Sequence, residues 1–151
     1  IKMIKKNILY ISLIFFLTNC GFTPIYLKNT NVNFSIEEVT FEGDRDLNNF
    51  LKTNLNQYKN KNANKIDIEV NSIYRKVILS KDGTGEVANY QLEAEVNFLI
   101  KPLNKKIKIT EKKIMDSMDD NFEENRYERS AKQGFASLMS TKLISELITS
   151  K

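Results

Sequence analysis

The chain has 151 residues, with 23 lysines and arginines, 19 aspartates and glutamates, no histidine and no tryptophan, and its formal net charge is +4 at pH 7. The lack of histidine excludes imidazole acid–base catalysis, Ser–His and Cys–His nucleophile pairs, and most zinc sites. The small net charge argues against a nucleic-acid-binding protein, because such proteins carry a strongly basic face.

A short basic and apolar segment precedes Cys20, the single cysteine of the chain. Lys5 and Lys6 are followed by an apolar run over residues 8–17, which is too short to span the roughly 30 Å core of a bilayer and is typical of a signal peptide. A cysteine directly after such a run indicates a lipobox, in which the thiol receives a diacylglyceryl group, the peptide is cleaved before Cys20 and the new amine is acylated. The alternative is a membrane anchor or an uncleaved signal with an incidental cysteine, and the short apolar run argues against it.

This processing predicts three segments: a signal peptide over residues 1–19, a lipidated extended tether over residues 20–32 and one α/β domain over residues 33–151. Pro24 favours extended backbone in the tether. Three lysines leave with the signal peptide, which lowers the formal charge of the mature chain to about +1. Gly21 follows the cysteine, and in lipoproteins of enteric bacteria the absence of aspartate at that position favours the outer membrane.

The first predicted elements of the domain are a strand and a helix. Apolar residues alternate from Phe34 to Phe41 with one slip near Glu37, which predicts a strand with a bulge. Asp44 or Asp46 then caps a helix. Five residues share the apolar face of this helix at helical spacing: Leu47, Phe50, Leu51, Leu55 and Tyr58.

A second predicted strand leads into a hairpin. Apolar and polar residues alternate from Ile66 to Val70, and the phase slips near Ser72, which predicts a half-buried strand with an irregularity. Asp82 and Gly83 predict the hairpin turn, because glycine adopts positive φ without steric clash.

Two more predicted strands complete the sheet. The clearest alternation covers residues 88–101, and residues 102–105 form a second turn. Ile107 and Ile109 begin a last strand that runs to about Met118 with a further slip. The apolar face of the clearest strand consists of Ala88, Tyr90, Leu92, Ala94, Val96, Phe98 and Ile100.

A long helix is predicted over residues 121–148, with Asp120 and Glu123 at the spacing of a capping box. Lys142 and Glu146 interrupt its apolar side, four residues apart, and are expected to pair with each other or with something outside the domain. That apolar side consists of Ala131, Phe135, Leu138, Met139, Leu143 and Leu147.

These elements predict an α+β fold in the order strand–helix–strand–strand–strand–helix. Two helices packed on one face of a mostly antiparallel four-stranded sheet bury all of the apolar stripes. The other, polar face of the sheet then contacts solvent or a partner.

Two groups of residues have both a structural and a functional interpretation. Tyr90 and Phe98 could line a lipid pocket, but alternation along a strand favours the core. A run of acidic residues lacks the spacing of an EF-hand calcium loop and is better interpreted as the cap and first turn of the long helix. We therefore predict no metal site, and we assign no catalytic residue. The acidic residues are Asp116, Asp119, Asp120, Glu123 and Glu124.

The N-terminal motif and the order of elements resemble a known family. Residues 20–26 read CGFTPIY. Three further features are a helix start at Asp44-Arg45, a long hairpin with a polar tip and a long C-terminal helix. Together these features resemble the LPS-assembly lipoprotein LptE, in its alphaproteobacterial form. The resemblance extends over essentially the whole mature chain.

The resemblance implies a lipoprotein of the outer membrane, facing the periplasm and the lumen of a β-barrel. Such a protein is anchored by acyl chains (diacylglycerol and an N-linked chain such as palmitate) on Cys20 and needs no cofactor. It plugs the large β-barrel LptD, and together the two deliver lipopolysaccharide to the outer leaflet. This role is structural and involves binding, without enzymatic chemistry.

Two groups of basic residues are candidates for contact with the phosphates of lipid A, for which ammonium groups serve as point charges. The denser group lies in the second turn and the last strand, and the other lies near the first hairpin. The alternative interpretation is a solvated turn and an edge strand protected by lysine. The candidate residues are Arg75, Lys76, Lys81, Lys105, Lys106 and Lys108, with Lys101, Lys112 and Lys113 in the same regions.

Two other functions remain open. The chain could be an auxiliary lipoprotein of a lipid-transport ABC system, working beside a periplasmic substrate carrier, or a lipid-anchored enzyme, which the missing histidine disfavours. The identity of the partner distinguishes a barrel-plugging lipoprotein from an auxiliary lipoprotein of an ABC system, and measured turnover would indicate an enzyme.

Overall fold

The computed structural model of the protein describes residues 32–59 and 62–149. Cys20, the predicted signal peptide and the tether before residue 32 lie outside the described residues. None of the helices in these ranges combines the length and the apolar composition needed to cross a membrane. In chain order the elements are β1 (Phe34–Gly43), α1 (Arg45–Leu55), a 3₁₀ turn (Asn56–Tyr58), β2 (Asn64–Lys81), β3 (Val87–Lys101), β4 (Lys105–Asp116) and α2 (Asn121–Thr149).

The four strands form one sheet in the order β1-β2-β3-β4. β1 and β2 are parallel because α1 carries the chain back between them, whereas β2–β3 and β3–β4 are antiparallel pairs joined by turns. Both helices contribute to one apolar core with a single face of the sheet. The predicted α+β fold class and order of elements are confirmed.

The junction between β1 and α1 combines a bulge, a glycine and a cap. The register of β1 against β2 shifts between Ile36 and Val39, as predicted. Gly43 has a φ of +99°, and Asp44 caps α1 by accepting a 2.8 Å hydrogen bond from the Leu47 N–H. The choice between two predicted caps is therefore settled in favour of Asp44.

The alternation of core-facing and outward-facing residues in β2 continues further along the strand than the sequence pattern indicated. Ser72 is buried in phase with Val70, and its hydroxyl lies 3.3 Å from the carbonyl oxygen of Glu42. The predicted slip near Ser72 is therefore wrong, because a small polar residue with a backbone partner can occupy a core position. The register of the strand shifts later, between Ile78 and Lys81.

The β2–β3 hairpin is present, but a different glycine shapes it. The positive φ belongs to Gly85, at +91°, and not to Gly83. The Asp82 carboxylate accepts hydrogen bonds from the Thr84 and Glu86 N–H groups and from the Thr84 hydroxyl. Because these donors stabilise its charged form, the pKa of Asp82 lies below its ordinary value.

β4 pairs with β3 in one continuous register from Lys105 to Asp116. The further slip that the sequence predicted there is wrong. Charged residues at core-facing positions of the strand interrupt the apolar alternation and made it look shifted. The Glu111 carboxylate lies 2.5 Å from the Lys142 ammonium, and the Lys113 ammonium lies 4.7 Å from the centre of the Tyr127 ring. Inward charges on an edge strand also discourage pairing with another chain.

α2 packs along the sheet from its cap at Asp120, whose carboxylate accepts a 2.7 Å hydrogen bond from the Phe122 N–H. Leu138 is 53% exposed, so its predicted place on the apolar side is wrong. Lys142 and Glu146 do not pair with each other in the domain; Lys142 pairs with Glu111 of β4, and Glu146 pairs with Lys105 of the same strand. The buried residues of α2 are Ala131, Phe135, Ala136, Met139, Ser140, Leu143 and Ile144.

Candidate functional site

Within residues 32–59 and 62–149, one face of the sheet is not covered by a helix, since both helices lie on the other face. We call this uncovered side the outer face. Its central row runs along β3, where polar side chains alternate with the buried residues of the core face. The four strands contribute Thr40 and Glu42 from β1, Glu69, Asn71, Ile73, Arg75 and Val77 from β2, Gln91, Glu93, Glu95, Asn97 and Leu99 from β3, and Lys106, Lys108, Thr110, Lys112 and Ile114 from β4.

The charges of the outer face pair with one another across the strands. Arg75 of β2 and Lys112 of β4 both lie 3.4 Å from the carboxylate of Glu93, which stands between them on β3. Two residues further along β3, the Glu95 carboxylate lies 2.9 Å from the Lys108 ammonium. This hydrogen bond holds the pKa of Glu95 below its ordinary value. The face thus presents compensated charge and not a basic patch.

A further cross-strand ion pair lies near the β3–β4 turn. The Lys101 ammonium is 2.5 Å from the Glu69 carboxylate, and the pKa of Lys101 is raised by that hydrogen bond. Acidic and basic side chains therefore compensate each other's charge in this part of the outer face as well.

A shallow concavity of about 530 Å³ lies on the outer face between β1 and β4. Its side chains combine amides, carboxylates and ammonium groups with one leucine. Val70, Phe98 and Ile107 also line it, so the concavity presents both polar and apolar groups. The outer-face residues around it are Thr40, Glu42, Glu69, Asn71, Asn97, Leu99, Lys106 and Lys108.

Aliphatic side chains occupy the end of the outer face near the β2–β3 hairpin. Val77 and Ile114 flank Gln91 from the two neighbouring strands and are 47% and 60% exposed. Leu79 is 48% exposed at the shift in register. Neighbouring exposed aliphatic groups of this kind mark a surface suited to contact with another molecule.

The six predicted basic residues do not form a single group. Arg75, Lys106 and Lys108 lie on the outer face, and the first and last of them pair with carboxylates there. Lys76 and Lys105 face α2, where they pair with Glu124 and Glu128 and with Glu146 respectively, and Lys81 is exposed at the end of β2. Contact of these residues with lipopolysaccharide stays a prediction.

The acidic run at the start of α2 is explained by contacts within the fold. Asp120 caps the helix, Asp116 accepts a hydrogen bond from Asn89, and Glu123 pairs with Arg126 instead of completing a capping box. Within the described ranges, no three histidine, cysteine, aspartate or glutamate side chains converge as they would around a metal ion.

The two aromatic residues considered for a lipid pocket belong to the core side of the sheet. Phe98 is 1% exposed and packs in the core, which confirms the structural interpretation. Tyr90 is partly buried, and its ring lies 4.2 Å from the Lys76 ammonium.

Fold and site together define a small α+β domain with a two-helix layer on one side of a mixed sheet and a polar, internally paired face on the other. No family model and no curated protein matches the sequence. Solved structures do share the fold. Rare lipoprotein B from Shewanella oneidensis superposes with a TM-score of 0.56 at 15% identity over 74% of this chain and 93% of that chain.

Two further solved structures have the same fold. Uncharacterized lipoprotein B from Nitrosomonas europaea gives a TM-score of 0.54 at 14% identity, over 80% of this chain and 88% of that chain. A candidate lipoprotein from Caulobacter crescentus gives 0.53 at 13% identity, over 74% of this chain and 88% of that chain. At such identities the similarity shows a shared fold.

Proposed function

We propose that this chain is an outer-membrane lipoprotein that plugs and supports an LptD-like β-barrel and takes part in lipopolysaccharide transport and assembly. The observation that carries the proposal is the fold shared with rare lipoprotein B, a name of the LptE family, over 93% of that chain. The role is binding and structural, and it needs no cofactor beyond the acyl chains.

The chemistry of the outer face supports a partner of this kind. The inner wall of a large membrane β-barrel is polar, whereas its lipid-facing wall is apolar. A face of amides and mutually paired charges, such as Glu93 between Arg75 and Lys112, meets a polar wall without leaving unpaired charge behind. This face is therefore the side of the sheet that we assign to the barrel.

The N-terminal sequence supplies the attachment to the membrane. Acylation of Cys20 adds about 0.8 kcal/mol for each buried methylene, and more than one chain is needed for stable anchoring. A diacylglyceryl group together with an N-linked acyl chain meets that requirement. Mass spectrometry of the mature N-terminus tests this step, and a peptide with an intact Asn19–Cys20 bond would contradict it.

The experiment that tests the function is co-purification from detergent-extracted membranes of the native organism, with an affinity tag after Lys151. We expect one large β-barrel protein in stoichiometric amount. Asn97→Arg, at the centre of the outer face, should abolish this capture because a long charged side chain would stand between the sheet and the barrel wall. Gln133→Arg, on the exposed side of α2, is the matched control and should retain the barrel.

The same experiment also distinguishes the proposed function from the alternative one. Co-purification of inner-membrane transporter subunits without a barrel would indicate an auxiliary lipoprotein of a lipid-transport ABC system. Loss of the barrel with both arginine variants would show that the outer face has no special part in binding.

A further inference from the structure

We propose that the first part of α2, residues 121–130, is a clasp that detaches from the sheet and melts while the rest of the domain stays folded, and that Lys76 holds it closed. This inference rests on packing and charge within the described domain and does not depend on the proposed function.

The two parts of α2 are held in different ways. None of residues 121–130 is buried, whereas seven residues between Ala131 and Ile144 are. Segments with few buried apolar contacts open at a small fraction of the global free energy of unfolding. The boundary between the parts lies just before Gly134, and a glycine within a helix lowers helical stability by roughly 0.5–1 kcal/mol relative to alanine.

The partly buried Tyr127, whose ring lies 4.7 Å from the Lys113 ammonium, is the apolar contact of the clasp with the core. Its polar contacts converge on one lysine of β2. The Lys76 ammonium contacts the carboxylate of Glu124 and lies 2.8 Å from that of Glu128. The Tyr74 hydroxyl donates a 3.1 Å hydrogen bond to the second oxygen of Glu128. The Lys76 ammonium also lies 4.2 Å from the centre of the Tyr90 ring, which supports it from the sheet.

The same contacts couple docking to helix formation. Glu124 and Glu128 are four residues apart on one helix, where like charges repel and destabilise the helix. Lys76 lies between them and relieves this repulsion only while the clasp is docked. When the clasp leaves the sheet, the repulsion returns in water, so detachment favours melting of the first turns.

Opening uncovers a defined surface on the core side of the long hairpin. That surface includes the Tyr74 hydroxyl, the Lys76 ammonium and the Tyr90 ring, which are otherwise covered by Glu124 and Glu128. Because the three side chains of the ion cluster are 15–23% exposed, dissolved salt screens their attraction only in part. The closed state should therefore depend on ionic strength.

Amide hydrogen exchange of the full domain tests the proposal. Lys76→Met keeps the aliphatic stem and removes the charge, and it should speed exchange over residues 125–130 by about tenfold while residues 135–144 exchange as in the wild type. Sodium chloride at about 0.5 M should speed exchange over the same residues of the wild type, but by less than Lys76→Met does. Lys112→Met is the matched control, since Lys112 pairs with Glu93 on the opposite face, and it should leave both segments unchanged.

A second variant tests the coupling. Adding Glu124→Gln to Lys76→Met removes the carboxylate repulsion and should restore part of the protection over residues 125–130. Wild-type exchange in Lys76→Met, or an equal acceleration over residues 135–144, would overturn the clasp. No recovery in the double variant would overturn its link to helix formation.

Discussion

Lys132 of α2 donates a 2.9 Å hydrogen bond to one carboxylate oxygen of Asp44, a residue 88 positions earlier in the chain. The other oxygen accepts the Leu47 N–H and caps α1. The side chains of Lys132 and Asp44 are only 13% and 21% exposed, and the ring of Tyr74 lies 4.2 Å below the ammonium. One aspartate therefore both starts the first helix and attaches it to the middle of the second.

Asp44→Ala should lower the free energy of unfolding by about 2–3 kcal/mol. The substitution removes a helix cap worth about 1 kcal/mol and leaves Lys132 largely buried without its main partner. Asp44→Asn should cost about 1 kcal/mol less, because the amide oxygen still accepts the Leu47 N–H. Urea unfolding followed by circular dichroism measures both changes.

Lys132→Met supplies the control for this pair. If the ion pair contributes as argued, Asp44→Ala should cost less in the Lys132→Met background than in the wild type. Additive effects of the two substitutions would show that Asp44 acts as a cap alone.

Gly43→Ala should be among the most destabilising single substitutions in the domain. Gly43 has a φ of +99°, and a Cβ there would lie 1.8 Å from the carbonyl oxygen of Ser72, which also accepts the Asp44 N–H at 3.1 Å. Unfavourable φ costs an L-residue about 1–2 kcal/mol, and the clash with backbone raises the total to about 3 kcal/mol or more. Thermal unfolding of the variant measures this loss.

Two hairpin glycines serve as controls for the steric part of this argument. Gly85 also has positive φ but open space around a Cβ, and Gly83 has neither constraint. Gly85→Ala should cost about 1–2 kcal/mol and Gly83→Ala should stay within about 0.5 kcal/mol. Equal effects of Gly43→Ala and Gly85→Ala would contradict a role for the Ser72 carbonyl.

Stability should fall above about pH 10 through Tyr74. Burial first, and then the nearby carboxylate of Glu128, raises the pKa of Tyr74 well above its ordinary 10.0. The unfolded chain therefore loses this proton at lower pH than the folded chain, so the stabilisation is complete below pH 10 and is lost as the pH rises through the folded value. Urea unfolding at about pH 8 and about pH 11 measures the fall.

Tyr74→Phe isolates this contribution from other groups that titrate at high pH. The variant loses the hydrogen bond to Glu128 at every pH, but its stability should fall less between the two pH values than that of the wild type. An equal fall in both proteins would assign the alkaline loss to other residues.

The period of apolar residues was sufficient to predict the fold class, the bulge in β1 and the core face of β3. It failed where a core-facing position holds a polar or charged residue. Ser72, Glu111 and Lys113 each made the pattern look shifted, although the backbone register stays continuous around them. Their partners lie far away in sequence, as Lys142 does for Glu111, and alternation along one strand carries no information about them.

The candidate site could be predicted only in outline. Alternation identified a polar face of the sheet, but the pairing of Glu93 with Arg75 and Lys112 depends on the register of three strands. Sequence alone therefore grouped basic residues by proximity along the chain. The structure divides them between the outer face and the helix layer, where Lys76 acts within the fold.

The continuous register of β4 predicts opposite outcomes for two adjacent residues. Met115 is 1% exposed on the core face and Ile114 is 60% exposed on the outer face. Met115→Ala should lower the free energy of unfolding by about 2–4 kcal/mol, because it removes buried atoms and leaves a cavity. Ile114→Ala should change it by less than about 0.5 kcal/mol. A phase slip before Met115 would exchange the two positions between the faces, so a larger loss for Ile114→Ala in urea unfolding would show that the strand is irregular after all.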